Sequence, residues 1–230
     1  MLNFKTRSLQ KELLDAPNIP AEAIFQNMRE LNIINTLLGG HRITQKAFRI
    51  LAAQLPSLHI MEIGCGGGDN LRVIQETANK SGQSIQLSGV DLNQDCITFA
   101  RQNNPEINWI CSDYRNLTLY NKPDIIFSSL FCHHFTDEEL TEQLQWMHTN
   151  SKCGFFINDL HRHPFAYYSI RWLTKLFSSS YLVKQDAPLS VLRGFKRDEW
   201  KTLLSRAGIQ KYSLQWAWAF RYRILVQHDA

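Results

Sequence analysis

The chain has 230 residues, 44% of them hydrophobic, and its 25 basic side chains against 21 acidic ones give a net charge of +4. That length suits one large domain with a buried core and leaves little room for a second. The charge is too small and too scattered to indicate a nucleic-acid-binding stripe, although it does not exclude RNA or an anionic lipid surface. The function must therefore be sought in the motifs.

The cysteines and the N-terminal sequence indicate the cellular compartment of the protein. The five cysteines are odd in number, widely spaced and without a CxxC pair, so they predict neither a disulfide framework nor a zinc ribbon. Charges interrupt the N-terminal sequence before an apolar run of signal-peptide length develops, and no segment approaches the roughly 18 apolar residues of a membrane span. We therefore expect a soluble protein in a reducing cytoplasm.

Up to about residue 55 the pattern is helical. Pro20 marks a helix start, apolar side chains follow at three-to-four spacing, and the pair Gly39-Gly40 ends the run. A second helix is predicted from about Ile43 to Gln54. The sequence thus begins with a helical extension.

Short apolar runs then alternate with helical stretches. The runs read LHIMEIG, SIQLSGVD, INWICSD, PDIIFSSLF and CGFFIND, and helices are predicted between them at residues 70–80, 94–103 and 137–148. The last helix has a capping-box pattern, with Thr136 as N-cap and Glu139 three positions on. This alternation predicts right-handed crossovers and a mostly parallel sheet with helices on both faces.

An aromatic and basic segment at residues 158–194 interrupts the alternation. Within it, apolar side chains between residues 165 and 177 repeat at helical spacing, which predicts an amphipathic helix. A helix near residues 197–207 and two strands, near 209–216 and 220–228, are expected to close the chain.

A glycine-rich turn, in MEIGCGGGDN, joins the first strand to the following helix. Glycine permits a tight turn there and close approach of a ligand to backbone amides. The dinucleotide fingerprint would need glycine where Asp69 stands, and the lysine of the P-loop is missing. The spacing fits Glu62-x-Gly64-x-Gly66-x-Gly68 instead.

Acidic residues stand at the ends of the next two strands. Asp91 ends the second strand, which should lie beside the glycine loop, and a carboxylate there can accept hydrogen bonds from a ribose diol. Asp113 ends the third strand, where an adenine amino group would donate to it, with Leu92 and Tyr114 flanking the base. The alternative is that both acids are turn residues at strand ends.

In order and spacing, EIGCGGG, GVDLN, CSDYRNL and SSLFCHHF resemble the successive motifs of the class I S-adenosylmethionine-dependent methyltransferases. The resemblance implies an α/β Rossmann-like fold with a seven-stranded, mostly parallel sheet, whose antiparallel last strand lies between strands five and six. It also implies S-adenosyl-L-methionine as cofactor, S-adenosyl-L-homocysteine as product and in-line methyl transfer. The methyltransferase domain would comprise residues 56–230.

The resemblance assigns the cofactor site to the carboxyl edge of the sheet. Glu62 and the glycine loop would hold the methionine end, Asp91 the ribose and Asp113 the adenine. Arg42 would pair with the cofactor carboxylate, unless it is a solvated helix-start arginine. The candidate cofactor-binding residues are Arg42, Glu62, Gly64, Cys65, Gly66, Asp91, Leu92, Ser112, Asp113, Tyr114, Ser129 and Leu130.

The SSLFCHHF segment after strand four combines a cysteine with two histidines. No metal is expected, because adjacent histidines in an extended loop would point apart. The family's covalent cysteine mechanism would place a proline immediately before Cys132, and that proline is missing here. Histidines near the acceptor are candidates for a general base: His133 and His134 on this segment, and His161 after strand five.

Asn158 and Asp159, which also follow strand five, would lie on the substrate side or cap a helix that starts at Pro164. The helix at 165–177 falls within residues 160–194, where the family inserts its substrate cap. Together with the helices of residues 1–55, it would form a lid over an apolar acceptor. It could also pack on its own core or contact a membrane transiently.

The fuller pattern resembles a bacterial subgroup associated with type III polyketide synthases. This resemblance implies a small-molecule acceptor that is hydrophobic and phenolic, quinone-like or polyketide-derived, with no nucleic acid as partner. The alternatives are an RNA or protein methyltransferase, or a non-catalytic protein that binds the cofactor. The sequence predicts neither the methylated atom nor the oligomeric state.

Overall fold

In this computed structural model, residues 2–53 and 55–228 are described, and they form seven strands and eight α-helices. The strands are β1 (Ser57–Ile63), β2 (Ser84–Asp91), β3 (Asn108–Cys111), β4 (Ile125–Ser129), β5 (Gly154–Leu160), β6 (Ser213–Ala217) and β7 (Arg221–Gln227). The helices are α1 (Ala21–Leu37), α2 (Gly40–Leu51), α3 (Asp69–Lys80), α4 (Gln94–Asn103), α5 (Asp137–Asn150), α6 (Pro164–Phe177), α7 (Tyr181–Arg193) and α8 (Arg197–Arg206). Short 3-10 helices span Leu13–Asp15, Tyr114–Asn116 and Cys132–His134.

The strands form one sheet in the order β3-β2-β1-β4-β5-β7-β6. Strands β1 to β5 pair in parallel, and β7 pairs antiparallel with both β5 and β6. The predicted fold, with an antiparallel last strand between strands five and six, is confirmed. The strand order reverses beside β1, so a crevice opens between the carboxyl ends of β1 and β4, where ligands bind in open α/β sheets.

The two faces of the sheet carry separate hydrophobic cores because side chains alternate along each strand. On β1, Met61 and Ile63 enter one core, whereas Leu58 and Ile60 enter the other. All five residues of β4 are buried, as expected for a strand covered by helices on both faces. The apolar run PDIIFSSLF therefore corresponds to a central strand.

Helix boundaries follow the local signals closely. Helix α1 begins directly after Pro20, and Gly39 separates it from α2 by adopting a left-handed conformation with φ of 75°. Helix α2 begins at Gly40, three residues earlier than predicted, and its predicted end at Gln54 lies outside the described residues. The capping box of α5 is confirmed: the Thr136 hydroxyl accepts from the Glu139 amide at 3.3 Å, and the Glu139 carboxylate accepts from the Thr136 amide at 2.9 Å.

The segment after β5 contains the predicted amphipathic helix, α6, and a second helix that the sequence pattern did not predict, α7. Ser180 caps α7 by accepting from the Val183 amide at 3.3 Å. Pro188 lies inside α7, and the buried residues of this helix do not form one apolar stripe, so the sequence shows no helical periodicity there.

The closing strands begin later than predicted, β6 by four residues and β7 by one. Among the described residues, no helix is both long and apolar enough to cross a membrane.

Gly154, at the start of β5, lies too close to the backbone of β7 to be replaced by a residue with a side chain. Its φ is 139°, and a Cβ added there would lie 2.1 Å from the backbone oxygen of Val226 on β7. We expect Gly154→Ala to lower the free energy of unfolding in urea by about 3 kcal/mol, because neither backbone can yield without breaking the pairing. The matched control is Gly82→Ala, where φ is 69° but no atom lies within 4 Å. Equal losses for the two variants would contradict the predicted clash.

Candidate cofactor and acceptor site

A cavity of about 900 Å³ opens at the carboxyl edge of the sheet. Its floor is the glycine loop and the ends of β2 and β4, and its walls come from α1, α6, α7 and residues 11–17 of the N-terminal segment. This volume lies within the usual range for small-molecule sites. The cavity therefore joins the predicted cofactor motifs to the predicted lid segments.

The glycine loop is held in a conformation that only glycine adopts readily. Gly64, Gly66 and Gly68 all have positive φ, of 66°, 49° and 76°. A Cβ at Gly64 would lie 2.2 Å from the ring of Phe131, so this position also needs glycine for space. Cys65 is buried between the first two glycines, and burial raises the pKa of its thiol.

Asp91 ties the end of β2 to the glycine loop. One of its carboxylate oxygens accepts from the Gly66 amide at 2.8 Å, and the other accepts from the Asn93 amide at 2.9 Å. Burial raises the pKa of this carboxyl group above its usual value. Because each oxygen has a further lone pair and the residue lines the cavity, Asp91 can accept hydrogen bonds from a ligand. Leu92, 67% exposed, stands next to it at the rim.

Glu62 lies at the base of the cavity with one oxygen unpaired. Its Oε1 accepts from Asn70 at 3.2 Å, whereas its Oε2 is buried without a hydrogen-bond partner in the described chain. Burial, with a contribution from the charge of Asp69, raises the pKa of Glu62 well above its usual value. A cationic ligand group at Oε2 would favour the ionised carboxylate.

Arg221, at the start of β7, is a cavity residue that the sequence analysis missed. Its Nη2 donates to Asn35 at 2.9 Å, but its Nη1 is buried with no hydrogen-bond partner among the described residues. Burial lowers the pKa of Arg221 to about 10. An unpaired buried guanidinium nitrogen on a residue that lines the cavity suits an anionic ligand group.

The structure does not bring Arg42 to this cavity. Arg42 is exposed and lines a separate cavity of about 600 Å³, whereas its neighbour His41 is buried and contacts Asn70 at 3.3 Å. Helix α2 therefore turns His41, and not Arg42, toward the glycine loop. The alternative reading of Arg42 as a solvated helix-start arginine agrees with its position. The two arginines at the start of the last strand, Arg221 and Arg223, were the signal that could have identified Arg221.

The residues at the end of β3 also line the cavity. Asp113 forms a 2.6 Å ion pair with Arg115 and accepts from the Arg115 amide at 2.9 Å, so it caps the short helix that follows. The side-chain hydrogen bond with Arg115 holds the pKa of Asp113 below its usual value. Its neighbours Ser112 and Tyr114 reach the cavity as well. The turn-residue reading of Asp113 is thus correct in part, although its carboxylate stays at the cavity wall.

The first part of the segment after β4 forms another wall. Leu130 has a φ of 54°, an uncommon conformation for leucine, and its amide donates to Asn158 at 2.9 Å. Ser129 accepts from the side chain of Asn158 at 3.2 Å. Cys132 does not line the cavity: its sulfur lies 3.3 Å from the Ser128 hydroxyl, within the core. Burial raises the pKa of the Cys132 thiol, which makes it a poor nucleophile.

His133 and His134 lie side by side, with ring centroids 4.6 Å apart and an interplanar angle of 33°. The expectation that they point apart is wrong, because Cys132–His134 forms a 3-10 turn rather than an extended loop. His133 is buried, and its Nδ1 lies 2.7 Å from Asp159. Burial opposes its charge, but Asp159 and Glu12 outweigh this effect and raise the pKa of His133 to about 9.

Glu12 faces both histidines from the N-terminal segment. Its Oε1 lies 3.4 Å from the Nε2 of His133, and its Oε2 lies 3.7 Å from the Nε2 of His134. The Nδ1 of His134 lies 3.4 Å from Asp15. We call Glu12, His133 and His134 the histidine–glutamate cluster. Glu12 could not be predicted from the sequence, because its histidine partners are more than a hundred positions away.

The predictions about Asp159 and His161 have different outcomes: Asp159 lies within β5 and not after it, whereas His161 directly follows the strand. His161 does not line the cavity: it accepts from the indole of Trp216 at 3.3 Å, and burial together with the charge of His163 lowers its pKa to about 4. The structure therefore does not bring it to the other histidines. His163, and not Asp159, caps α6 by accepting from the Phe165 amide at 3.2 Å, so Asp159 is left to contact His133.

Comparison with known proteins agrees with this geometry. Residues 60–154 match the family model described as a methyltransferase domain. The structure of the plantazolicin methyltransferase BpumL in complex with SAH aligns with a TM-score of 0.65 and 18% identity, over 91% of this chain and 89% of that one. Magnesium protoporphyrin IX methyltransferase (ChlM) from Synechocystis PCC 6803, with bound SAM, aligns with a TM-score of 0.52 and 13% identity, over 81% and 79% of the two chains.

A third similar structure is a possible exported protein from Bordetella parapertussis, with a TM-score of 0.63 and 15% identity over 84% of this chain and 68% of that one. No curated protein matches the chain in sequence. At these identities, the solved structures show the fold alone. The family-model match covers the glycine loop, Asp91, Asp113 and the histidine segment, and the sheet order agrees with the fold. Residues 60–154 thus match a methyltransferase domain, and the chain shares the fold of methyltransferases whose structures contain SAM or SAH.

Proposed function

We propose that the chain transfers a methyl group from S-adenosyl-L-methionine to a hydrophobic small molecule that is phenolic, quinone-like or polyketide-derived. The observation that carries this proposal is the continuity of the cavity. Its lining includes unpaired polar groups of Glu62 and Arg221, an apolar chamber formed by aliphatic and aromatic side chains of the helices, and the histidine–glutamate cluster. Cofactor and acceptor could therefore meet inside one site.

The polar groups at the glycine loop fit the cofactor. The unpaired oxygen of Glu62 suits the ammonium group of its methionine end, and the unpaired nitrogen of Arg221 suits the carboxylate. Asp91 would bind the ribose, and Asp113, Leu92 and the other candidates lining the cavity would surround the adenine. When bound there, S-adenosylmethionine supplies an electrophilic methyl group on a sulfonium. These assignments of roles to residues are part of the proposal.

The chamber supports an apolar acceptor. Its walls are mostly aliphatic and aromatic side chains of α1, α6 and α7, including Met28, Leu31, Ile34, Phe165, Ile170, Leu173, Val183 and Val191. Such walls favour a small hydrophobic ligand over a polyanion such as RNA. Residues 1–55 and 160–194 would act as the lid over this chamber, and they would exclude water from the transfer.

Methyl transfer requires an acceptor held in line with the methyl group, and a hydroxyl acceptor must also lose its proton. The histidine–glutamate cluster would accept that proton, or stabilise the negative charge left on the acceptor oxygen. His133 and His134 remain the candidates for this role, since both line the cavity. His161 is no longer proposed.

A methylation assay tests the function. Full-length protein would be incubated with labelled S-adenosylmethionine and a panel of alkyl phenols, hydroquinones and polyketide-type resorcinols, and products would be identified by mass spectrometry. We expect methylation of at least one panel member, with amines and RNA as poor acceptors. Tight S-adenosylhomocysteine binding without methylation of any panel member would favour the non-catalytic alternative. Transfer to RNA, with affinity that falls as salt rises, would favour the RNA alternative.

Helix α6 presents an unusually apolar surface to solvent. Phe165, Trp172 and Phe177 are 65%, 63% and 79% exposed, and the helix contains Arg171 and Lys175 but no acidic residue. These properties favour transient contact with an anionic membrane surface, from which an apolar acceptor could enter. The five free thiols favour a cytoplasmic setting.

Vesicle sedimentation checks this contact. We expect the protein to bind phosphatidylglycerol vesicles more strongly than phosphatidylcholine vesicles, and Trp172→Ala to weaken that binding several-fold. Tyr120→Ala, at a residue that is 94% exposed but lies far from α6 in the chain, is the control. Equal binding by both variants would argue against a role for α6.

A further inference from the structure

The histidine–glutamate cluster has the composition of a metal site. One ligand atom each from Glu12, His133 and His134 lie within 4.8 Å of one another, and in the described part of the chain no other group of three such side chains meets this condition. Two imidazoles and one carboxylate are a common ligand set for zinc and for other divalent transition metals. The three residues come from two segments far apart in sequence, so the fold assembles the cluster.

The distances within the cluster fit a shared cation better than direct hydrogen bonds. The two contacts between Glu12 and the Nε2 atoms measure 3.4 and 3.7 Å, longer than the usual 2.7–3.2 Å of a hydrogen bond. Ligand atoms at the corners of a tetrahedron around zinc, with bonds of about 2.0–2.1 Å, are separated by about 3.3–3.4 Å. The two carboxylate oxygens of Glu12 face the two histidine rings, so Glu12 could bind the same metal ion as both of them.

Each histidine has a carboxylate near its Nδ1, and for His133 this carboxylate is at hydrogen-bonding distance. The Nδ1 of His133 lies 2.7 Å from the buried carboxylate of Asp159, and the Nδ1 of His134 lies 3.4 Å from Asp15. A carboxylate at Nδ1 orients the imidazole so that its Nε2, once deprotonated, can bind a metal, and metal binding would release that proton. Both Nε2 atoms are the ones that face Glu12.

The surrounding charges favour a cation at this place. Three carboxylates, those of Glu12, Asp15 and Asp159, surround the two rings, and the guanidinium of Arg193 stands 3.9 Å from Glu12. The hydroxyl of Ser190 donates to Oε1 of Glu12 at 2.7 Å and orients its carboxylate. The cluster lines the cavity, so a bound ion would have an open position toward the acceptor.

We propose that Glu12, His133 and His134 bind one divalent transition-metal ion, for which zinc is the natural probe. The ion would have three protein ligands and an open position, the arrangement of catalytic rather than structural zinc sites. Its role would be to bind the acceptor oxygen and lower the pKa of the hydroxyl group, and this part rests on the proposed function. His133 and His134 would then act as ligands instead of bases.

Metal content tests the proposal without an activity assay. Full-length protein would be stripped with a chelator, exposed to zinc chloride, desalted and measured by inductively coupled plasma mass spectrometry. We expect about one zinc ion per wild-type chain and a loss of at least about ten-fold in affinity, measured by calorimetry, for His134→Ala and for Glu12→Gln. Cobalt substitution provides a second measurement, since Co²⁺ bound by two nitrogens and one carboxylate gives visible absorption bands.

Adventitious binding by surface histidines is controlled by His148→Ala. His148 and His228 form another close pair, with ring nitrogens 3.0 Å apart, away from the cavity. Unchanged zinc binding by His148→Ala supports the proposed site, whereas loss in this variant but not in His134→Ala overturns it. Wild-type protein that retains no zinc also overturns it.

Titration of the same variants with S-adenosylhomocysteine separates this proposal from the proposed function. Unchanged affinity in His134→Ala and Glu12→Gln shows that these variants are folded, so a loss of zinc can be assigned to the cluster. A wild-type protein that binds zinc but no S-adenosylhomocysteine would contradict the proposed function and leave the metal site standing. A wild-type protein that binds S-adenosylhomocysteine but no zinc would contradict the metal site and leave the proposed function standing.

Discussion

Asp91→Ala should weaken the binding of S-adenosylhomocysteine by about 100-fold or more. The substitution removes the two proposed hydrogen bonds from the ribose diol to a carboxylate, each a charge-assisted bond of about 1.5–3 kcal/mol. In the wild type the Gly66 amide donates a hydrogen bond to Asp91 at 2.8 Å. The substitution removes this bond, so the glycine loop is held less firmly. Isothermal titration calorimetry measures the affinity, with circular dichroism as a check that the variant is folded.

Asp113→Ala is the comparison that makes this prediction specific. Arg115 already occupies the carboxylate of Asp113, so the bond left for an adenine amino group is weaker and more exposed to solvent. We expect a loss of less than about 10-fold for this variant. If Asp91→Ala bound as tightly as the wild type, the ribose assignment would be wrong. If Asp113→Ala had the larger effect, the claim that Asp91 contributes more than Asp113 to the affinity would be wrong.

Arg221→Met should lower S-adenosylhomocysteine affinity by about 30-fold or more while changing the free energy of unfolding by less than about 1 kcal/mol. Burial already lowers the pKa of Arg221 to about 10, and Nη1 has no partner in the described chain, so the free protein gains little from this charge. A ligand carboxylate would supply the missing partner, and losing a buried charge pair costs several kcal/mol. Calorimetry and urea unfolding measure the two quantities.

The matched control is Arg42→Met, because the sequence made that arginine a candidate for the same role. Arg42 is exposed and lines the other cavity, so its removal should leave the affinity for S-adenosylhomocysteine within about two-fold of wild type. A large loss for Arg42→Met with none for Arg221→Met would restore the sequence-based assignment.

The sequence predicted the features that depend on local signals. The glycine spacing after β1, the acid at the end of β2 and the capping box of α5 each involve residues within a few positions of one another, and the structure contains all three. The parallel order of the first strands followed from the alternation of strands and helices. Together with the resemblance of the motifs, these signals were sufficient to predict the fold.

Features that depend on distant contacts could not be predicted in the same way. Arg221 reaches the cavity only because β7 inserts beside β5, and Glu12 meets His133 only because the N-terminal segment lines the same cavity. The orientation of the two histidines depends on one 3-10 turn that no residue in the segment specifies. His161 was a reasonable candidate by chain position, but its ring lies against Trp216 instead.

Helix α7 illustrates a different limit. Its buried residues include Asp186, whose carboxylate accepts from the amides of Leu13 and Leu14 at 2.8 and 3.0 Å. The helix is thus covered by the N-terminal segment on one side and by the domain on another, so it has no single apolar face to detect. Pro188 within it further argues against a helix when the sequence is read alone.

A crystal structure of the complex with S-adenosylhomocysteine tests the central claim most directly. We predict the ligand in the 900 Å³ cavity, with its carboxylate on Arg221, its ribose on Asp91 and its sulfur directed toward the histidine–glutamate cluster across the apolar chamber. A ligand bound with its sulfur facing away from that cluster, or bound outside this cavity, would contradict the account.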